Sequence, residues 1–328
     1  MFFVTNKAIN EPLLSKIEVP RRITFNTENN QAGQSIYFCR RNGANDYTEI
    51  GSANLLEELR VSPAEQILVY IHGFNNQPES DIFPRAQELQ RLFDAVKQNL
   101  VLVLPIIWPC SDHIGIIRDY YYDEDAADAS AFAFARLLEK FLNWQKVNCT
   151  DGVPSCLKRI NMLAHSMGNR VLRGTLQRWR EYGETSSPLL LFRNTFLVAA
   201  DIEDESLQKN GKGTQICELS RNVTVYYAND DLALRTSKVA NDGNMINGRR
   251  KRRLGHSGAE DTELLPRNVY LVDCDEINNL YDKPKGHAYF LNDDKGQPGL
   301  VFQHILHSVQ CGRVDIDAAT RMKILGCT

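Results

Sequence analysis

No C-x-x-C pair occurs in this sequence of 328 residues. Nor does any apolar run reach the ~18 residues of a membrane helix. The eight cysteines are scattered, several inside apolar stretches, so they read as buried thiols of a reduced compartment rather than a disulfide framework. The opening segment, MFFVTNKAINEP, lacks the charged start and long apolar core of a secretory signal. A cytoplasmic location without a membrane span is the resulting expectation. Neither sign of charge dominates, since 38 Lys and Arg face 41 Asp and Glu for a formal net charge of -3. That balance gives no reason to expect nucleic acid or an anionic membrane as the main partner. Also missing are a G-x-G-x-x-G turn after a strand, a G-x-x-x-x-G-K-[ST] loop and any His, Cys or carboxylate cluster at ligand spacing. Neither a metal nor a cofactor is therefore expected. The one local charge excess, GRRKRRLG at 248–255, is expected to be a solvated loop, with docking of an anionic partner as the weaker reading.

What is present is an alternation of strand-like and helix-like segments. From residue 66 the strand candidates are nearly continuous apolar runs: QILVYIHG (66–73), LVLVLPIIWP (100–109), KRINMLAHS (158–166), NTFLVAAD (194–201), NVTVYYAN (222–229) and NVYLVDCD (268–275). Strands buried on both faces, as in a parallel sheet, have that signature. Between them, FPRAQELQRLFDAVKQN (83–99) sets Ala86, Leu89, Leu92, Phe93 and Val96 on one helical stripe. Residues 127–144, 167–182 and 299–310 behave likewise. Strand–helix–strand repetition predicts an α/β fold with a doubly wound, mostly parallel sheet. Residues 1–60, with strand-like runs at 21–26 and 35–40, are less regular and suit an antiparallel edge. Residues 241–266 read as a polar, basic loop. No linker interrupts the chain, so a single domain over 1–328 is expected.

The stretch INMLAHSMGNRVLRGTLQRW (160–179) carries the first chemical signal. A strand, a small-x-Ser-x-Gly turn and an amphipathic helix follow one another without a gap, the order of a nucleophile elbow. Ala164 stands where the first glycine of G-x-S-x-G belongs and keeps the position small. Such a turn lifts the Ser166 hydroxyl above the end of the sheet, beside the free N–H groups that open a helix. A serine nucleophile needs oxyanion donors, a base and an acid that orients the base. The His-Gly turn ending LVYIHGFNNQP (68–78) suits the first need, and the expected donors are the backbone N–H groups of Phe74 and Met167.

Seven histidines compete for the base. His256 precedes the last strand, His304 and His307 sit on an apolar helix, His72 and His165 flank the two turns, and His113 follows an early strand. His287, in the loop after NVYLVDCD and next to Gly286, has the right chain order. The acid should lie between Ser166 and His287. Asp201 and Asp204 end one strand, Asp230 and Asp231 another, and spacing does not decide among the four.

Taken together, YIHGFNN, AHSMGNRVL, AADIEDE, YYANDDLALR, RRLG and GHAYFL resemble an uncharacterised, esterase- or lipase-like α/β-hydrolase family, over most of the chain. The resemblance implies an α/β-hydrolase fold, with Ser166 as nucleophile, His287 as base and Asp231, two residues before Ala233-Leu234, as acid. It implies no particular substrate. The expected function is cofactor-independent hydrolysis of a small-molecule ester or thioester through an acyl-enzyme. An acyltransferase with the same triad, or a non-catalytic binding module on the same fold, are the alternatives. Residues 108–130, with their tyrosines and Ile114, Ile116 and Ile117, and residues 241–266 are lid candidates.

Overall fold

The computed structural model describes residues 1–14, 17–111, 116–148, 158–182, 190–235, 252–293 and 295–326. The chain divides into two compact units, Met1–Arg159 with Gly174–Thr185, and Ile160–Arg173 with Ser186–Thr328.

The first unit contains β1 (Phe2–Lys7), β2 (Arg21–Ile23), β3 (Ala32–Gly43), β4 (Asp46–Glu49), α1 (Ser52–Val61), β5 (Gln66–Ile71), α2 (Phe83–Val96), β6 (Val101–Ile107) and α3 (Ile116–Asn148). Its strands lie in the order β5-β6-β1-β3-β4-β2. β5, β6 and β1 are mutually parallel, and β1, β3, β4 and β2 pair antiparallel. The antiparallel edge expected of the first sixty residues is therefore present, although β1, β4 and α1 were not separately legible. Pro105 has no N–H to give a ladder. It faces Tyr70 of β5, and pairing of β6 with β1 starts just beyond it, at Ile106 and Ile107. Phe3, Tyr47 and Phe83 form a buried aromatic cluster, with Phe3 edge-on to Phe83 at 5.1 Å. Of the lid candidate at 108–130, residues from 116 on belong to α3, and Ile114 lies outside the described residues.

The second unit contains β7 (Arg159–His165), the start of α4 (Gly168–Tyr182), β8 (Phe192–Val198), α5 (Thr214–Glu218), β9 (Ser220–Tyr227), α6 (Leu254–Ser257), β10 (Val269–Asp273), α7 (Asn278–Tyr281), α8 (Leu300–Cys311) and β11 (Met322–Ile324). β7-β8-β9-β10-β11 is an all-parallel run. β8 and β9 are almost wholly buried, as their largely apolar sequences require. A buried polar ladder crosses three of them: Asn194 Nδ2 donates to Asn161 Oδ1 at 2.8 Å, and Asn222 Nδ2 donates to Asn194 Oδ1 at 2.9 Å. Ser308 and Gly312, at the end of α8, accept the second amide hydrogens through their carbonyls. His304 is a core histidine held between the Tyr226 hydroxyl (2.8 Å) and the Asp315 carbonyl (2.8 Å).

The expected solvated loop differs at its C-terminal end. Residues 249–251 lie outside the described ones, but Arg253 and Leu254 are buried and 254–257 form α6. Cys39, Cys110, Cys217 and Cys274 are buried thiols, and Cys311 is exposed. Cys149, Cys156, Cys327 and His113 lie outside the described residues. Among the described residues no helix is long and apolar enough to cross a membrane, and no group of three or more His, Cys, Asp or Glu could hold a metal.

Candidate active site

β7 delivers Ser166 in a sharp turn. Its φ is 54°, in the left-handed region that residues with a Cβ rarely enter. The turn is stitched on both sides: the Ser166 N–H donates to Val198 O (2.9 Å), and the Ser166 carbonyl accepts from the N–H groups of Asn169 (3.0 Å) and Asp201 (3.2 Å). Met167 is fully buried, and among the described residues its N–H donates no hydrogen bond. That donor, at the mouth of α4, is free to meet negative charge.

Asp231 and His287 are brought into contact. His287 Nδ1 lies 2.7 Å from Asp231 Oδ2, with the aspartate side chain fully buried. The other carboxylate oxygen of Asp231 accepts the Leu234 N–H at 3.0 Å, which explains why an acid followed by x-Ala-Leu forms the tight end of β9. The loop bearing His287 is fixed by Asp282, whose Oδ2 accepts the N–H groups of His287 (2.8 Å) and Ala288 (2.7 Å). Gly286 enters that loop at φ 60°, and a Cβ there would come within 2.6 Å of the Asn278 and Asn279 side chains. His165, next to Ser166, reaches the same loop: its Nε2 is 3.1 Å from the His287 carbonyl, and the two imidazoles are 4.7 Å apart. Among the described residues the Ser166 hydroxyl makes no hydrogen bond, to His287 or otherwise.

Burial opposes the charged form of His287, but the neighbouring carboxylates of Asp231, Asp201 and Asp282 outweigh it and raise its pKa above the ordinary imidazole value. The three other acid candidates have different work. Asp230 accepts from the Asn278 and Asn279 amides, Asp204 lies 3.8 Å from Arg252, and Asp201 lies 3.1 Å from Arg253.

Phe74 belongs to the first unit, in the turn after β5. Among the described residues its N–H also donates no hydrogen bond. The turn is built on His72, which is fully buried, stacks on Trp108, donates from Nδ1 to Gly73 O (2.9 Å) and accepts the Trp108 N–H at Nε2 (3.2 Å). Burial lowers its pKa to about 3, so it is a neutral structural histidine, as its place in the turn suggests.

Residues 49–295 match the family described as alpha/beta hydrolase of unknown function (DUF900). The chain belongs to this family. As an α/β hydrolase it has the mostly parallel sheet flanked by helices that the apolar runs predict. No curated protein matches its sequence. Among solved structures, phospholipase PlaB from Legionella pneumophila in complex with thio-NAD is similar over 66% of this chain and 40% of that chain, at 13% identity and a TM-score of 0.26. A second structure of that phospholipase gives 66%, 41%, 13% and 0.28. The hydrolase chain thus spans about two fifths of those proteins.

Two residues around Ser166 and His287, Asn169 and Asp282, and one acid of the first unit, Asp123, were not picked out from the sequence. Asn169, fully buried, donates its amide to the carbonyls of Ala164 (3.0 Å), Ser166 (3.0 Å) and Val198 (3.4 Å), holding the elbow from below. Its signal was its place three residues after the serine, where a helix start offers a short polar side chain access to strand-end carbonyls. Asp282 reads in sequence as an ordinary loop acid. Asp123, in α3 of the first unit, accepts the N–H groups of Asn75 (3.1 Å) and Ser111 (2.7 Å), and burial raises its pKa to about 6.

Proposed function

We propose that this α/β hydrolase is a serine hydrolase that cleaves a carboxylic ester or thioester through an acyl-enzyme. The reading rests chiefly on the 2.7 Å contact between His287 Nδ1 and Asp231. With Nδ1–H committed to the aspartate, the lone pair of the neutral imidazole is at Nε2, the tautomer a base needs. Ser166 Oγ attacks the substrate carbonyl as its proton passes to Nε2, and Asp231 stabilises the imidazolium that forms. The tetrahedral oxyanion is met by the unbonded Met167 N–H, a donor worth roughly 3–4 kcal/mol in comparable sites. The imidazolium returns its proton to the leaving alcohol or thiol. Water, deprotonated by the same nitrogen, then releases the acid and restores Ser166.

The test is fluorophosphonate labelling and an ester panel of graded acyl length, with wild type and Ser166→Ala compared. Labelling and turnover in the wild type, both lost in Ser166→Ala, are expected. A folded wild type that neither labels nor turns over any ester would favour a non-catalytic binding module. Product analysis with an added alcohol separates hydrolysis from acyl transfer.

A further inference from the structure

His287, the base of the proposed reaction, has four polar atoms, and three of them are engaged. Its N–H donates to Asp282 Oδ2 at 2.8 Å. Its Nδ1 lies 2.7 Å from Asp231 Oδ2, past the end of β9. Its carbonyl oxygen lies 3.1 Å from Nε2 of His165, the last residue of β7. Among the described residues the remaining atom, Nε2, makes no hydrogen bond.

A carbonyl oxygen only accepts, so the His165 ring must donate its Nε2 proton to it. His165 is 2% exposed, and its ring lies 5.1 Å from Phe290 and 4.7 Å from the His287 imidazole. A leucine or phenylalanine would fill such a place without desolvating a polar group, which costs free energy unless the group is bonded. The His287 carbonyl is a partner that neither of them could serve. The loop bearing His287 is also tied to the side of β9: the Leu232 N–H donates to Lys285 O (3.1 Å), and the Tyr289 hydroxyl to Tyr226 O (3.2 Å). His165 supplies a tie to β7, the strand that leads into Ser166. Because β8 lies between β7 and β9, His287 is held at its ring from one strand end and at its main chain from another, two strands away. Ser166 adds nothing to that hold, since its hydroxyl makes no hydrogen bond among the described residues.

We propose that His165 is a positioning residue for His287: its Nε2–H anchors the main chain of the base to the strand that carries Ser166, so that the unbonded Nε2 of His287 and the serine keep a fixed relation before substrate binds. This deepens the serine-hydrolase reading and rests on it. The anchor acts through the backbone and puts no group of His165 on the reacting atoms. Its loss should therefore leave substrate binding nearly unchanged and slow the step in which Ser166 gives up its proton.

The experiment compares wild type, His165→Gln and His165→Phe in steady-state kinetics on an ester and in proton NMR of the His287 Nδ1–H that faces Asp231. Glutamine can present an amide N–H in place of the imidazole Nε2–H, whereas phenylalanine keeps a ring and offers no donor. In His165→Phe, kcat is expected to fall by roughly tenfold to a hundredfold at nearly constant KM, and the Nδ1 proton to exchange faster with water. His165→Gln should recover most of kcat and of the slow exchange, a rescue that filling the space alone would not give. If no ester is turned over but the exchange pattern appears, the anchor stands and the serine-hydrolase reading fails. A folded His165→Phe with wild-type kcat and wild-type exchange would overturn the anchor. Should His165→Phe not fold, the nitrogen NMR shifts of the wild-type His165 ring decide: a proton on Nε2 upholds the bond, and a ring protonated at Nδ1 alone overturns the proposal.

Discussion

The side-chain amide of Asn169 donates to the carbonyl oxygen of Ser166 at 3.0 Å, from inside the first turn of the helix that the serine introduces. The same amide serves Ala164 and Val198, so one buried group ties together the strand before Ser166, Ser166 itself and the end of the neighbouring strand. Replacing it by alanine leaves buried carbonyls short of a donor, at a cost of about 1–3 kcal/mol. Asn169→Ala should therefore lower the melting temperature and reduce kcat at nearly constant KM. An unchanged kcat in the folded variant would show that the elbow holds its shape without this clamp.

Asp231→Asn tests the acid. The asparagine keeps the size of the side chain but no longer forces Nδ1 to carry the proton, and in a comparable triad this exchange lowers kcat by about 10⁴. Loss of the carboxylate also removes the largest force raising the pKa of His287, after burial has pushed it the other way. In the wild type, kcat/KM should rise along an acid limb lying above the ordinary imidazole pKa, because the base works only when neutral. In Asp231→Asn the residual activity should show that limb at lower pH. Near-wild-type turnover in Asp231→Asn would transfer the acid's role to another carboxylate.

Gly255→Ala is expected to be among the most damaging exchanges outside Ser166, Asp231 and His287. Its new methyl group would overlap the backbone at Ala199 and Ala200, where there is no flexible side chain to move aside. A loss of about 3 kcal/mol or more is expected in chemical unfolding, at the upper end of overpacking effects. A variant as stable as wild type would mean that the segment carrying Arg253 can retreat from β8.

Asp123 offers a pH signature in stability rather than in rate. Burial raises its pKa from 3.8 to about 6, so the folded state holds this proton more tightly than the unfolded chain does. Its contribution is most favourable below about pH 4 and is lost as pH rises through 6, a swing of roughly 3 kcal/mol. Asp123→Asn removes the titration, so the stability difference between variant and wild type should move in the variant's favour between pH 4 and 7. A difference independent of pH across that range would show that Asp123 does not titrate there.

Much of this was legible in the sequence because it depends on neighbours in the chain. The strands from β5 to β10 announce themselves by unbroken apolar runs, and Ser166 by its place between such a run and an amphipathic helix. The contact of His287 with Asp231 was reached through a family resemblance, since Asp201, Asp204, Asp230 and Asp231 look alike as strand-end acids. What separates them is partners distant in the chain: Arg253 for Asp201, Arg252 for Asp204, two asparagines for Asp230. Arg253 misled for the same reason. A cluster of arginines is ordinarily hydrated, and the carboxylate waiting beyond β8 helps to make burial of one of them tolerable. β1, β4 and β11 are short or lie outside the apolar runs, so their local sequence gave little periodicity to read.

The asparagine ladder at the roots of β7, β8 and β9 has a mechanical meaning for the tips of the same strands. Ser166, Asp201 and Asp231 each stand just past one of these three tips. A slip of one residue between two strands would displace one of those tips by about 3.3 Å and turn its side chains to the opposite face. Apolar side chains tolerate such a slip better than paired amides do, because a displaced asparagine would be buried with nothing to bond. Asn161, Asn194 and Asn222 therefore act as a vernier, locked at one end of the sheet so that three side chains stay aligned at the other.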